Sequence, residues 1–152
     1  MGFKAIALSS GPTAAADTVI LASRDPALAQ ASRSMPRVGQ YAVFAQDFST
    51  LAVAQLQTRC DVMVLDELGK MESFSKDFIS ELDTFFRNSN RPLVLGTVPL
   101  RGGIRISDQA KSMLDTLLIE ITRENRDQKI AELFELLKQT LESKERSATG
   151  GD

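Results

Sequence analysis

Three apolar runs set the tightest limit on what this chain folds into. DVMVLD (61–66), PLVLGTV (92–98) and TLLIEIT (116–122) set apolar residues largely side by side rather than in strict alternation. A strand with one wet face alternates. A strand buried on both faces need not, and such strands belong to parallel sheets covered by helices. Helix-patterned stretches separate the runs. Phe74, Phe78, Ile79, Leu82, Phe85 and Phe86 fall on one helical stripe, which is core rather than a cofactor box. Ile106, Ala110, Met113 and Leu114 line a shorter helix, with Ser107 as its cap and an end near Asp115. Ile130, Leu133, Phe134, Leu137 and Leu141 line a third, capped by Asn125 with Gln128 in capping-box position. Strand, helix, strand, helix, strand, helix predicts an α/β fold: a parallel sheet with helices on its faces and right-handed crossovers.

The first sixty residues read differently. Residues 3–8 and 18–22 have strand character around a turn at Ser9, Ser10, Gly11 and Pro12, which predicts an N-terminal β-hairpin. Residues 24–37 contain two prolines and few large apolar side chains and read as a loop. Residues 38–45 return to strand, and 48–56 form a short helix with Asp47 or Ser49 as its cap. Residues 145–152 are a polar tail expected to be disordered, leaving one domain over 1–144.

Composition excludes several classes. At 152 residues, 43% hydrophobic and 25% charged, the chain buries a core without staples. A net charge of −2 gives no sign of a nucleic acid or anionic membrane as the main partner, since both call for a basic surface. No window approaches 18 consecutive apolar residues, so no membrane span is expected. The apolar stretch after Met1 is too short for a signal peptide. Gly2 lacks the Ser or Thr that myristoylation wants, because position 6 is Ile6. With no histidine, Ser-His-Asp catalysis and His-ligated zinc are out. The single cysteine, Cys60, forms no internal disulfide and suggests a reducing compartment, the cytoplasm.

The chemistry concentrates in VMVLDELGKME (62–72). An apolar strand there delivers Asp66 and Glu67 at its carboxyl end, where parallel sheets bind ligands. Adjacent carboxylates in this place divide labour: one holds Mg²⁺, usually through water, and the other orients or deprotonates an attacking water. Gly69 lets the backbone turn, and Lys70 is placed to meet a phosphate or pair with an acid. A short Walker B match of this kind also arises by chance.

The wider pattern is more specific. RVGQYAVFAQDFSTLAV (37–53), DVMVLDELGKMESFSKDF (61–78), PLVLGTVP (92–99) and EITRENRD (120–127) follow one another in this order. Together with MGFKAIAL and VILAS they closely resemble the THEP1 family of nucleoside-triphosphatases, over roughly residues 2–140. The resemblance implies a RecA-like, three-layer P-loop fold and slow, Mg²⁺-dependent hydrolysis of nucleoside triphosphates such as ATP and GTP. It implies Asp66 as the Walker B metal residue and Glu67 as the catalytic base. Thr97, at the end of the next strand, looks like a sensor of the γ-phosphate or its water. Thr122, Arg123, Glu124 and Asn125 look like the block near the nucleotide base. For Arg123, a surface arginine paired with Glu120 or Glu124 is an equally good reading.

One departure from the family is severe. The family begins with a strand, a G-x-x-x-x-G-K-S/T loop and a helix, and these 152 residues contain no such motif. Gly69-Lys70 is followed by Met71, and Gly102-Gly103 by Ile104. Without that loop no cradle of backbone N–H groups meets the phosphates and no P-loop Lys reaches them. Two expectations follow: a truncated reading of an active enzyme, weakly active or inactive as it stands, or a non-catalytic pseudo-NTPase acting as a scaffold or interaction protein. By analogy with RecA-like sheets, residues 62–66 should pair in parallel with 93–98, and a gap should lie between 93–98 and 117–122. Poor solubility, self-association through that incomplete sheet, or collapse of the two flanking strands onto each other is expected.

Overall fold

The computed structural model of the protein describes residues 1–8, 17–30 and 35–149. The expected turn at Ser9–Pro12 lies outside the described residues. Two compact units, Met1–Leu114 and Asp115–Asp152, divide the chain.

In the first unit, β1 (Gly2–Ala7) and β2 (Asp17–Ser23) form the expected antiparallel hairpin, with Lys4 opposite Ile20 and Ala7 opposite Asp17. The stretch 24–37 is not all loop. Pro26–Gln30 is one short helix, α1. Asp25 Oδ1 accepts the Ala27 N–H at 2.9 Å, and Pro26 stands at the first helical position, where its missing N–H costs nothing. The single strand expected over 38–45 is instead β3 (Arg37–Val38) and β4 (Tyr41–Val43). Gly39 breaks it: at φ 56° it takes the left-handed conformation of a tight turn, and Val38 pairs back with Tyr41. These strands form an antiparallel sheet in the order β1-β2-β4-β3.

Helix α2 (Ala45–Leu56) starts earlier than expected, and neither Asp47 nor Ser49 caps it. Its cap residue is Phe44, whose N–H donates to Leu21 O at 2.8 Å, so the backbone of β2 fixes where the helix begins. Asp47 lies in the first turn, where its charge suits the helix dipole. Phe48 then meets Phe78 edge to face at 4.9 Å between ring centroids.

Phe78 belongs to α3 (Lys76–Arg87), which buries Phe78, Leu82, Phe85 and Phe86 as the stripe predicts. Phe74 precedes it in a 3-10 turn, Glu72–Phe74. The buried Ser75 caps α3, accepting the Phe78 N–H at 3.2 Å. Around this stripe gather Leu21, Val43, Leu56, Met63, Leu68 and Ile106, which tie hairpin, helices and the parallel strands into one core.

Those parallel strands are β5 (Val62–Leu65) and β6 (Leu93–Gly96), paired as expected with Val62 opposite Leu93 and Leu65 opposite Gly96. Among the described residues no strand pairs with the other edge of β6. Helix α4 spans Arg105–Lys111 and stops short of Asp115, and Leu114 is exposed rather than inward. Ser107 is not its cap. It sits one turn in, bonding back to the Ile104 backbone as acceptor at 3.0 Å and donor at 2.8 Å.

The second unit holds α5 (Arg126–Thr149) and the irregular residues that precede it. Residues 116–122 were expected as a third strand and are not one. A strand needs a ladder, and apolar composition alone supplies none. Asn125 stands immediately before α5 and its carbonyl accepts the Lys129 N–H at 2.9 Å, but its side chain turns back into a reciprocal box: Thr122 Oγ1 accepts the Asn125 N–H at 3.3 Å while Asn125 Oδ1 accepts the Thr122 N–H at 2.8 Å. Gln128 plays no part in that box; its amide donates to Glu132 at 2.7 Å. Leu133, Leu137 and Leu141 are half-buried, but Ile130 and Phe134 are exposed. The polar stretch expected as a disordered tail is helical as far as Thr149. Among the described residues no helix is long and apolar enough to cross a membrane.

Candidate functional site at the carboxyl ends of the parallel strands

The register of β5 and β6 builds the site. Each residue of β5 faces the residue 31 positions later, and the next pair in the same register is Asp66 and Thr97. Thr97 Oγ1 donates to Asp66 Oδ1 at 2.5 Å. The backbone continues the match: Thr97 N–H donates to Leu65 O at 3.0 Å, and Leu68 N–H donates to Thr97 O at 2.9 Å. The Asp66–Glu67 peptide bond is cis. Leu68, 3% exposed, drives its side chain into the core and anchors the turn, leaving Asp66 and Glu67 facing solvent.

The turn closes on a residue the sequence reading passed over. Glu72 Oε2 accepts the Gly69 N–H at 3.0 Å. Gly69 is buried, and a Cβ there would stand 3.0 Å from Glu72 Oε2 and 3.2 Å from Glu67 Oε1. Burial pushes the Glu72 carboxyl above its ordinary value; hydrogen bonds from the backbone at Glu72 and Gly69 pull it back, and the nearby Glu67 charge adds to the rise. Only the spacing of a Gly three residues before a Glu hinted at this in the sequence. Lys70 is exposed, its carbonyl accepting the Ser73 hydroxyl at 2.7 Å.

The structure therefore brings together Asp66, Glu67, Thr97 and, as a newcomer, Glu72. Arg123 and Asn125 belong to the second unit. Arg123 is exposed, and no ion pair joins it to Glu120 or Glu124 among the described residues. The Asn125 side chain is engaged locally at both ends, its Nδ2 donating to Glu120 O at 3.0 Å. Thr122 lowers the Glu124 carboxyl through a side-chain hydrogen bond.

The donors at the strand ends fit a hard divalent cation. Among the described residues no three carboxylate, thiol or imidazole groups converge into a closed metal cage. Mg²⁺ asks for less: one or two carboxylates, with the remaining positions filled by water and substrate phosphates. Asp66 offers a free oxygen beside the one that Thr97 holds.

Acidic residues beyond the carboxyl end of a parallel strand, with helices packed around it, place the protein in the α/β class whose ligands bind at that end. The comparisons carry this further. The protein-family model described as NTPase matches residues 1–134. The chain is 33% identical over 108 residues to nucleoside-triphosphatase THEP1 of Aquifex aeolicus, covering 66% of this chain and 60% of that protein. It is 33% identical over 100 residues to the human cancer-related nucleoside-triphosphatase, covering 60% of this chain and 52% of that one. The crystal structure of the Aquifex aeolicus THEP1 superposes with a TM-score of 0.65 at 29% identity, over 80% of this chain and 71% of that one. The chain belongs to this NTPase family and has its P-loop NTPase fold. It spans between half and three-fifths of the length of these two curated relatives.

Proposed function

We propose that Asp66, Glu67 and Thr97 form the metal-and-water side of a site that hydrolyses nucleoside triphosphates, ATP or GTP, to the diphosphate and phosphate. The observation that carries this is the Thr97–Asp66 hydrogen bond at the strand ends, with Glu67 next in the chain. Asp66 would hold Mg²⁺ by the carboxylate oxygen that Thr97 does not bond. Mg²⁺ supplies charge neutralisation to the β- and γ-phosphate oxygens when bound. Glu67 orients a water for in-line attack on the γ-phosphorus and takes its proton as the bond to the bridging oxygen breaks. Thr97 reads the γ-phosphate through its link to Asp66. Lys70 is assigned to phosphate, and by the family resemblance Arg123 and Asn125 are assigned to the nucleotide base. The single exposed Cys60 fits a reducing compartment such as the cytoplasm.

These 152 residues carry no G-x-x-x-x-G-K-S/T cradle, so turnover by the chain alone is expected to be negligible. Losing even one preorganised donor typically costs ~10²–10³ in rate. The test is Mg²⁺-dependent phosphate release by the chain, and by the chain joined at its N-terminus to a phosphate-loop segment from a relative. The joined protein should turn over. Asp66→Asn should weaken Mg²⁺–nucleotide binding, whereas Glu67→Gln should leave binding and lower kcat. Full activity of the Glu67→Gln form would overturn the assignment. A joined protein that binds nucleotide yet never hydrolyses it would favour the non-catalytic reading, an interaction or scaffold protein.

A further inference from the structure

The hydrolysis reading gives Glu72 no task, yet the structure gives it a specific place. It opens the 3-10 turn after the acid pair, half-buried, and its Oε2 holds the Gly69 N–H at 3.0 Å. Glu67 is close to the same place: the point where a Gly69 Cβ would stand is 3.0 Å from Glu72 Oε2, 3.2 Å from Glu67 Oε1 and 3.6 Å from Glu67 Cδ. One backbone position thus has two carboxylates beside it: Glu72 bonds its N–H, and Glu67 borders the space that a side chain there would take. The turn has two other anchors, the Leu68 N–H on Thr97 O and the Leu68 side chain in the core. Both lie on the N-terminal side of Gly69. Release of Gly69 from Glu72 would leave them intact and free only the surface on which Glu67 rests.

We propose that Glu72 is a positioning residue: by holding Gly69 it fixes the surface against which the Glu67 carboxylate is aimed. What Glu67 then does rests on the hydrolysis reading; the aiming does not. Two further observations support the coupling. The Glu67 charge is the smallest of the causes acting on the Glu72 carboxyl, after burial and the two backbone hydrogen bonds, which places the two groups near each other. A side chain at position 69 would also crowd both carboxylates, its Cβ standing 3.0 Å from Glu72 Oε2 and 3.2 Å from Glu67 Oε1. A purely local role, in which Glu72 merely closes its own turn, predicts that Glu67 is indifferent to it.

The experiment uses the 152-residue chain, isotope-labelled, as wild type, Glu72→Gln and Glu72→Ala. Three readouts are followed by NMR: exchange of the Gly69 amide, exchange of the Leu68 amide, and the three-bond couplings that report the Glu67 χ1 rotamer. Glu72→Ala removes the acceptor. Gly69 exchange should rise by ~10-fold or more, as loss of a hydrogen bond to a charged group implies. The Glu67 couplings should move from one rotamer to an average, while Leu68 stays protected. Glu72→Gln retains an acceptor and should restore both Gly69 protection and the single Glu67 rotamer. Unchanged Glu67 couplings in Glu72→Ala, or averaged couplings already in the wild type, overturn the proposal. Should Leu68 lose protection in Glu72→Ala, Glu72→Asp decides: its shorter side chain should shift the Glu67 couplings partway, and no shift overturns it. None of these readouts needs turnover. A Glu67 that responds to Glu72 in a joined protein indifferent to Glu67→Gln would sink the hydrolysis reading and leave this one standing.

Discussion

Thr97→Val separates what the hydroxyl does for the fold from what it does for the site. Valine keeps the shape and removes only the oxygen that donates to Asp66 Oδ1 at 2.5 Å. A hydrogen bond to a charged group contributes ~1.5–3 kcal/mol where water is excluded. Here both residues are exposed, water replaces the lost donor, and the net cost should fall to about 0–1 kcal/mol. The backbone bonds of Thr97 to Leu65 and Leu68 survive, and a β-branched residue suits a strand end. The melting temperature should therefore fall by no more than about 4 °C. The functional effect should be larger. Residues that orient a metal-holding carboxylate typically affect metal affinity or activity by ~10–100-fold. In the protein joined to a phosphate-loop segment, the Mg²⁺ concentration for half-maximal phosphate release should rise by that order, and Thr97→Ser should restore it. An unchanged Mg²⁺ dependence with a lowered kcat would show that Thr97 acts on the phosphate and not through Asp66. A loss of stability as large as a core truncation would show that its role is structural.

Three further outcomes are expected. Ser75→Ala removes the buried cap of α3 and should cost about 1–2 kcal/mol, read as a fall in melting temperature, with Ser75→Thr nearly neutral. Glu72 is raised above its ordinary 4.5 in the folded state, so its contribution is fully present below that value and is lost as pH rises through the folded value. Glu72→Gln should therefore gain stability relative to wild type between pH 4 and pH 7, and a thermal-melt difference that shrinks over that range would contradict the burial argument. Sedimentation at rising concentration should reveal self-association through the outer edge of β6; a monodisperse monomer with a cooperative transition would argue against an open edge.

The sequence was most legible where burial decides the pattern. The phenylalanine stripe of α3 is visible because its residues meet the core, and the apolar runs of β5 and β6 are visible from composition, although in the two strands only Met63 is buried and Val64 is exposed. Asp66 and Glu67 stood out at a strand end, whereas Thr97 came from the family resemblance. Elements held by backbone contacts were not legible. The start of α2 depends on Leu21 O, and the split of β3 from β4 depends on the conformation of Gly39. The apolar run 116–122 looked like a strand because composition reports burial and says nothing of a pairing partner. Glu72 stood in plain view, but its bond to Gly69 is a property of the turn. The cap of α4 was misplaced by three residues, since Ser107 bonds back to Ile104 from inside the first turn, and Asn125, at the threshold of α5, turns its side chain back to Thr122.

The constant offset between β5 and β6 also decides which length changes the chain tolerates. One residue removed within β6 would slide Val98 beside Asp66 and leave the carboxylate facing a methyl group. The same change in the bend after α3, where the exposed Asn88 side chain accepts the Asn90 N–H at 2.9 Å, leaves the alignment untouched. That bend is therefore the place to insert a peptide tag or a fluorescent reporter without disturbing the acidic pair, whereas the strand just beyond it accepts substitutions but no indels.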